Sequence, residues 1–520
     1  MIFEYEVIVH MRFVKSLFGR IFSRFTIMGI LIIIQFAWMA LMVMRLGDYS
    51  RSITIMFNFL AIVAALFIIY RDESSAYKLG WVMIICLVPI LGTAMYWFFG
   101  NKRPSKRIKN KIEPTRARHR DDVRQENCLS EVYSDRILET IKYIADYGPY
   151  PAWTGTKSKY YDLGDKAFVD MLDDLKRAKH CIFMEYFIID EGYMWDSIFD
   201  VLQEKVAEGV DVRIMYDDIG CIDKLPLNFT SKLENAGIRV HVFNPLRPVL
   251  SLVYNNRNHR KIMIIDGYVA YSGGFNIADE YINKVQYFGH WKDTGIRLEG
   301  MAVWNFTVMF LNIWNSFVPT EEDYSKFRPH VNHPQAFDSD GILQPFSDTP
   351  LDDENLGENI YLEIINQAED YLYIYTPYLI LDNEMLSALK LASKRGVDIR
   401  LVTPGIPDKK IIFRLTRSYY LPLIRAGVKI YEYKDGFVHA KNFLSDDKLA
   451  VVGTINLDYR SLYLHFECGT LMVGCSSLRD IKEDFVRTIE RCTQIREENC
   501  KTNFFGLLFD GILRAFSPLL

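Results

Sequence analysis

Two stretches of the chain carry residues that could do chemistry together, and they carry them in the same order. The first runs His259-Arg260-Lys261, then Asp266, Gly273 and Asn276; the second runs His439-Ala440-Lys441, then Asp446, Gly453 and Asn456. The shared His, Lys, Asp, Gly and Asn all lie 180 residues apart. A single His-x-Lys-x4-Asp arises easily by accident, whereas five aligned positions repeated at one offset do not. Residues two apart in a strand face the same side, so His259 and Lys261 project together, as do His439 and Lys441. Gly273 and Gly453 allow close backbone approach, which would let Asn276 and Asn456 reach the same pocket. Two imidazoles, two ammonium groups and two amides suit a phosphodiester. One histidine would attack phosphorus, the other would protonate the leaving alcohol, and Lys and Asn would neutralise the oxygens. This chemistry requires neither a metal nor another cofactor. Asp266 and Asp446 join the candidate catalytic set by position, although they read more as structural than as reacting groups.

Such a pair of half-sites needs a scaffold that presents one site twice. In the first copy a helical pattern through Phe168, Met171, Leu172 and Leu175 leads to a strand over 181–189. A second helix ends at Gly209, and a strand follows over 210–216. In the second copy Ile360, Ile364 and Ala368 mark the first helix and 371–380 the strand; the next helix ends at Gly396, before a strand over 397–402. Gly-Val-Asp-x-Arg recurs at an offset of 187 residues. These helix–strand–helix–strand units predict a duplicated α/β fold, sheets covered by helices, with the copies related by a pseudo-twofold axis. Residues 151–318 form the first half, 354–500 the second, and 319–353, rich in Pro, Asp, Ser and His, the connector.

The paired motifs resemble the phospholipase D superfamily over roughly 151–500. The surrounding text is similar to bacterial cardiolipin synthases: Asn255-x-Arg257-Asn258-His259-Arg260-Lys261, Gly273-Gly274-Phe275-Asn276, Trp291-Lys292-Asp293-Thr294 and Asn456-Leu457-Asp458-x-Arg460-Ser461. Trp81, Pro89 to Gly92 and Tyr96 to Gly100 resemble that family's short N-terminal module, and the tail Phe516-Ser-Pro-Leu-Leu520 is similar too. The resemblance implies a ping-pong transfer that joins two phosphatidylglycerols into cardiolipin with loss of glycerol. By that analogy His259 is the nucleophile, and His439 is the acid and then the base. The repeat itself does not decide which histidine attacks. The resemblance further implies that Glu467 orients His439 and that Asp293 serves His259. His465 departs from the family pattern, which has Asn there, and reads as a tolerated swap.

The ends of the chain point to a bilayer. Residues 25–44 and 52–70 are uncharged apolar runs, the first long enough for a ~30 Å hydrocarbon core, and both are expected to span a membrane. Residues 79–100 form a third run, interrupted by Pro89 and Gly92, that suits either a third span or a re-entrant segment. Nine basic residues between Lys102 and Arg120, against the single acid Glu113, mark residues 101–150 as a basic juxtamembrane linker. They favour the cytoplasmic side for the catalytic region and would hold anionic headgroups. From Asn503 to Ser517 the non-apolar residues Asn503, Gly506, Asp510, Arg514 and Ser517 form one narrow stripe. A helix over 501–520 would therefore either dock on the core or lie in a membrane interface.

The expected setting is thus a multi-pass cell-membrane protein acting on phosphatidylglycerol and membrane lipids. The net charge of −4 argues against bulk binding of nucleic acid. Eight cysteines without a C-x-x-C pair read as buried thiols rather than a disulfide framework. The rivals are a hydrolase of the same superfamily, a transferase using another alcohol, and a catalytically silent membrane scaffold.

Overall fold

The computed structural model describes residues 51–71, 74–89, 106–123, 134–246, 256–318 and 322–519, with scattered positions between 33 and 100. In the first half the strands are β1 (Thr156–Tyr161), β2 (Cys181–Tyr186), β3 (Asp211–Asp217), β4 (Arg239–Phe243), β5 (Lys261–Ile265), β6 (Val269–Gly273), β7 (His290–Lys292) and β8 (Gly295–Gly300). Seven of them form one sheet in the order β1-β8-β6-β5-β2-β3-β4. The second half supplies β9 (Ile342–Asp348), β10 (Tyr371–Tyr375), β11 (Asp398–Pro404), β12 (Lys429–Tyr433), β13 (Gly436–Val438), β14 (Asn442–Ser445), β15 (Leu449–Gly453), β16 (Glu467–Val473) and β17 (Cys492–Ile495). Its sheet runs β9-β16-β15-β14-β10-β11-β12-β17. Apart from the added β17, the two orders correspond strand for strand, and β2-β3-β4 and β10-β11-β12 are the parallel runs in each. The duplication read from the motifs is therefore a duplication of topology.

The apolar residues after each motif lysine drive this arrangement. β5 and β6, and likewise β14 and β15, are buried at every position, as strands covered on both faces should be. Gly273 and Gly453 sit where backbones meet. A Cβ at Gly273 would lie 2.4 Å from the Thr294 carbonyl oxygen, and one at Gly453 would lie 2.4 Å from that of Cys468. Helix Val303–Phe317 is buried along almost its whole length and touches β5, β6 and β8 of one half and β9 of the other. Its Asn305 locks the junction: Nδ2 donates to the carbonyls of Pro151 and Pro345, and Oδ1 accepts from Trp153 Nε1 at 2.7 Å. The stretch 319–353 contains more than a connector, since it holds edge strand β9, which pairs with β16 along its length.

The termini meet on one surface. Helix Phe504–Phe516 contacts both Ser75–Leu87 and Lys410–Ser418. The basic run contains helix Lys106–Arg118, whose Ile108 and Ile112 are buried and which packs on Val303–Phe317. Of the expected spans, 25–44 falls mostly outside the described residues. The run 52–70 coincides with helix Arg51–Tyr70, whose side chains are described at 55, 56 and 58–70. Among the described residues no helix is long and apolar enough to cross a membrane.

Asp266 and Asp446 occupy equivalent turns, after β5 and β14, with left-handed backbone at φ 52° and 56°, a conformation that Asp tolerates better than most residues. The Asp266 carboxylate accepts the backbone N–H groups of Lys179, His180 and Cys181. Asp446 accepts those of Glu369, Asp370 and Tyr371. Each thus ties its turn to the start of the neighbouring strand, and five residues of strand, roughly 16 Å, separate it from its lysine. This corrects their place in the catalytic set: they anchor the strands that carry it. Asp266→Ala or Asp446→Ala strands three backbone donors and should lower stability by about 2–3 kcal/mol, read by chemical denaturation. Turnover per folded molecule should remain near wild type; lost turnover at unchanged stability would return these residues to the chemistry.

Candidate active site

Each motif histidine stands just before the strand that carries its lysine, and each is met by the opposite half. The segment before His259 pairs with the segment before Glu467 through a parallel bridge, Asn258 to Phe466. His259 N–H donates to the Phe466 carbonyl at 2.9 Å, and Phe466 N–H donates to that of Arg257 at 2.8 Å. On the other side β13 pairs in parallel with β7, setting Val438 against Lys292. There His439 N–H donates to the Lys292 carbonyl at 2.7 Å. The carboxylates follow this exchange. His259 Nδ1 lies 2.9 and 3.0 Å from the two oxygens of Glu467, and His439 Nδ1 lies 2.6 Å from Asp293 Oδ2. The pairing expected from the sequence, Asp293 with His259 and Glu467 with His439, is therefore reversed. It chose the carboxylate nearest along the chain, whereas reciprocal strand pairing between the halves delivers the distant one.

The four partners are buried, and burial sets their charges. Burial, followed by the positive charges of Lys261 and Lys441, holds His259 well below the ordinary imidazole range. Burial and Lys441 push His439 down to about 4, against the pull of Asp293. Both imidazoles are therefore neutral near pH 7. Lys261 and Lys441 each donate to the carbonyl of their own histidine, and burial lowers them to about 7 and about 8. The carboxylates differ. Burial raises Glu467 to about 7 despite Lys261 and the Thr454 hydroxyl that donates to it. Burial would raise Asp293 too, but His439 and Lys441 outweigh it and hold Asp293 below its ordinary range.

The walls are aromatic, with Phe187 edge-on to His259 at 4.9 Å and under Lys261 Nζ. Tyr281 and Trp291 lie 5.5 and 5.4 Å from His439. The strand entrance at His259 is fixed by ion pairs. Arg257 donates to Asp217, which also accepts Asn258 N–H, while Asn258 Nδ2 donates to Glu185, 3.5 Å from Arg260. The two amides expected in the pocket diverge. Asn276 is committed, accepting from Ile188 N–H and donating to Tyr281 Oη, so it acts through the tyrosine against His439. Asn456 is buried with Oδ1 unpartnered. Thr454 was missed although the repeat pointed at it, because it occupies the position of Gly274 in the first copy. A Cβ at Gly274 would lie 1.9 Å from Asp293 Oδ1. His465 was underrated. Its ring lies 5.6 Å from that of His259, and ligand atoms of His259, His465 and Glu467 lie within 4.8 Å of one another, the group among the described residues that could hold a metal ion.

With this geometry in view, the comparisons with known proteins are specific. Residues 171–286 and 361–489 match the family described as "Cardiolipin synthase, PLD-like domain", and 59–101 match "Phospholipase_D-nuclease N-terminal". The chain is 43% identical over 469 residues to an uncharacterized protein of Streptococcus mutans, covering 88% of this chain and 99% of that one. It is 34% identical to a cardiolipin synthase of Alkalihalophilus pseudofirmus over 90% of this chain and 94% of that protein. The chain belongs to the cardiolipin synthase family of the phospholipase D superfamily. The cardiolipin synthase match includes both histidines, both lysines and Glu467, while Asp293 lies just beyond its first segment. A phosphatidylserine synthase of Haemophilus influenzae shares the fold, with a TM-score of 0.53 at 12% identity over 73% of this chain and 98% of that one.

The lowered lysines predict a pH profile. For the free enzyme, kcat/KM should fall as pH rises through about 7 to 8, where Lys261 and then Lys441 lose their protons. A bound phosphodiester favours both charges, so kcat should hold to higher pH. Lys261→Arg, always protonated, should remove the lower break even if it slows turnover. A wild-type kcat/KM that is flat through about pH 9 would contradict the ammonium assignment.

Proposed function

We propose that the chain joins two phosphatidylglycerol molecules into cardiolipin and glycerol through a phosphohistidine. The observation that carries this reading is the pair of buried imidazoles, each fixed at Nδ1 by a carboxylate from the opposite half. With Nδ1–H turned to a carboxylate, each Nε2 presents a lone pair to the shared pocket. His259, fixed at Nδ1 by Glu467 and packed edge-on by Phe187, attacks phosphorus. His439, backed by the firmly ionised Asp293, passes a proton to the departing glycerol oxygen; the anionic substrate favours the imidazolium that donates it. A hydroxyl of the second phosphatidylglycerol then gives its proton to His439 and attacks the phosphohistidine, which breaks the P–N bond and frees His259. Lys261 and Lys441 neutralise the phosphoryl oxygens.

A lipid substrate agrees with the way the C-terminal helix is docked. Its polar stripe faces inward: Asp510 pairs with Arg414, Arg514 lies over Tyr419, and Gly506 and Ser517 are buried along with neighbouring Leu513. Phe504, Phe505, Leu507 and Leu508 face outward and are more than half exposed. A helix in water does the reverse, so this orientation favours an apolar medium at that surface. Helix Arg51–Tyr70 exposes Ile55, Phe59, Ile62, Leu66 and Ile69 in the same way. We therefore propose a membrane-bound chain, multi-pass through the apolar runs of its first hundred residues, with its catalytic halves on the cytoplasmic side. The basic residues of 102–120 would then lie against anionic headgroups.

Purified protein supplied with phosphatidylglycerol vesicles should release one glycerol per cardiolipin formed. Phosphatidic acid without cardiolipin would instead mark a hydrolase. His259→Ala and His439→Ala should each lower turnover by about 10³-fold or more, because the site is shared; near-normal turnover in either would sink the composite site.

The crossed pairing makes a separate prediction. Asp293→Asn should slow turnover by about 10²–10⁴-fold, with most of the loss in the first step recovered on phosphatidyl-p-nitrophenol, read as the initial burst of p-nitrophenol, because that leaving group needs no proton. Glu467→Gln supports the nucleophile and should lose on both substrates. Recovery in Glu467→Gln rather than Asp293→Asn would reverse the roles of the histidines.

A further inference from the structure

His465 lies beside the reacting groups, yet the transfer chemistry gives it nothing to do. Its side chain is nine-tenths buried, and neither ring nitrogen has a hydrogen-bond partner. Buried polar atoms are nearly always satisfied, and leaving one unpaired costs about 1–3 kcal/mol. Nδ1 of His465 lies 3.9 Å from Glu467 Oε1, the same oxygen that stands 2.9 Å from His259 Nδ1. Two imidazole nitrogens thus converge on one carboxylate oxygen, all within 4.8 Å. Around a tetrahedral zinc ion, with bonds of about 2.0–2.2 Å, neighbouring ligand atoms are about 3.3 Å apart, between the two distances observed.

We propose that His259, His465 and Glu467 form an inhibitory site for a zinc-like divalent transition-metal ion. Imidazole and carboxylate ligands suit zinc, cobalt, nickel or copper, whereas magnesium and calcium prefer all-oxygen sets. Inhibition follows from the proton count on His259, and this step rests on its proposed role as nucleophile. In the metal-free site Nδ1 carries the ring proton toward Glu467 and Nε2 holds the attacking lone pair. An ion bonded to Nδ1 requires the lone pair there, so the ring proton moves to Nε2. The nucleophilic electron pair is then a bond to hydrogen, and attack on phosphorus stops. Glu467 releases any proton it holds to solvent, and no oxidation state changes. Asn at position 465 would place no strong ligand there, so the histidine supplies the third donor.

The test uses the full chain in metal-free phosphatidylglycerol vesicles, with Co²⁺ as a spectroscopic probe and Zn²⁺ as inhibitor. One equivalent of Co²⁺ should give visible d–d absorption of a low-coordinate site, displaced by Zn²⁺. Turnover should fall in step with Zn²⁺ occupancy, recover with EDTA and ignore Mg²⁺. His465→Asn should keep turnover in metal-free buffer, lose the Co²⁺ band and need at least about tenfold more Zn²⁺ for half-inhibition. Equal inhibition of wild type and His465→Asn, or no Co²⁺ band in wild type, would overturn the site. If His465→Asn folds poorly, His465→Gln and the wild-type Co²⁺ titration decide. Metal-free enzyme without transferase turnover would refute the proposed function, while the Co²⁺ band would still report on the metal site.

Discussion

The structure depends on an exchange between its halves. Each half supplies a histidine whose imidazole is fixed by a carboxylate from the other, His259 by Glu467 and His439 by Asp293. The exchange is carried by the backbone as well, through the pairing of β7 with β13 and the bridge from Asn258 to Phe466. Contacts of this reciprocal kind are what a twofold relation between equivalent surfaces produces. They make the site a property of the junction, because neither half by itself holds a histidine in a defined tautomer. The rest of the core serves that junction. Helix Val303–Phe317 fills the space between the sheets, and Asn305 ties its polar atoms to both sides.

Burial at the junction has an electrostatic consequence. Lys261 and Lys441 are held by the carbonyls of their own histidines, with no carboxylate among the described residues in direct contact. Desolvation therefore dominates and lowers both. An anionic phosphodiester favours both ammonium charges, so the burial that lowers the lysines also strengthens their attraction to the reacting group. The ions nearby, Arg257 with Asp217 and Arg260 with Glu185, have counter-charges within the protein and hold the strand that presents His259. Pairing thus separates positioning charges from those kept for substrate.

The duplication, the strands and the close approach at Gly273 and Gly453 were legible because each has a local signature: an offset, a period of two, a glycine. Cross-half geometry has none. The assignment of Asp293 and Glu467 failed for that reason, since contact between residues 146 or 208 positions apart leaves no mark on spacing. Asp266 and Asp446 share the motif's regularity, yet that regularity serves folding, and only the observed bonds to backbone N–H groups separate the two uses. Strand β9 hid in a stretch of Pro, Ser and Asp because it is an edge strand, where Pro345 is tolerated. His465 looked like a harmless swap because sequence cannot show an unpartnered nitrogen.

The repeat predicts two equivalent histidines, but four small departures from symmetry make them unequal. Position 274 is glycine because Asp293 presses against it, whereas the equivalent Thr454 places a hydroxyl on Glu467. Asp293 has one methylene fewer than Glu467 and makes the shorter contact with its histidine. Tyr281, held by Asn276, packs on His439, while Asn456 leaves its oxygen unpartnered. Only His259 has a second imidazole beside it. Burial raises Glu467 despite the Thr454 hydroxyl, whereas His439 and Lys441 hold Asp293 low, which suits His439 to carry a proton and His259 to remain a neutral nucleophile. A duplicated site that stayed symmetric would stabilise imidazolium equally on both sides, and the group meant to attack would compete for the proton meant for the leaving alcohol. The unequal carboxylates, Glu467 raised by burial and Asp293 held low by His439 and Lys441, lessen that competition without altering either His-x-Lys.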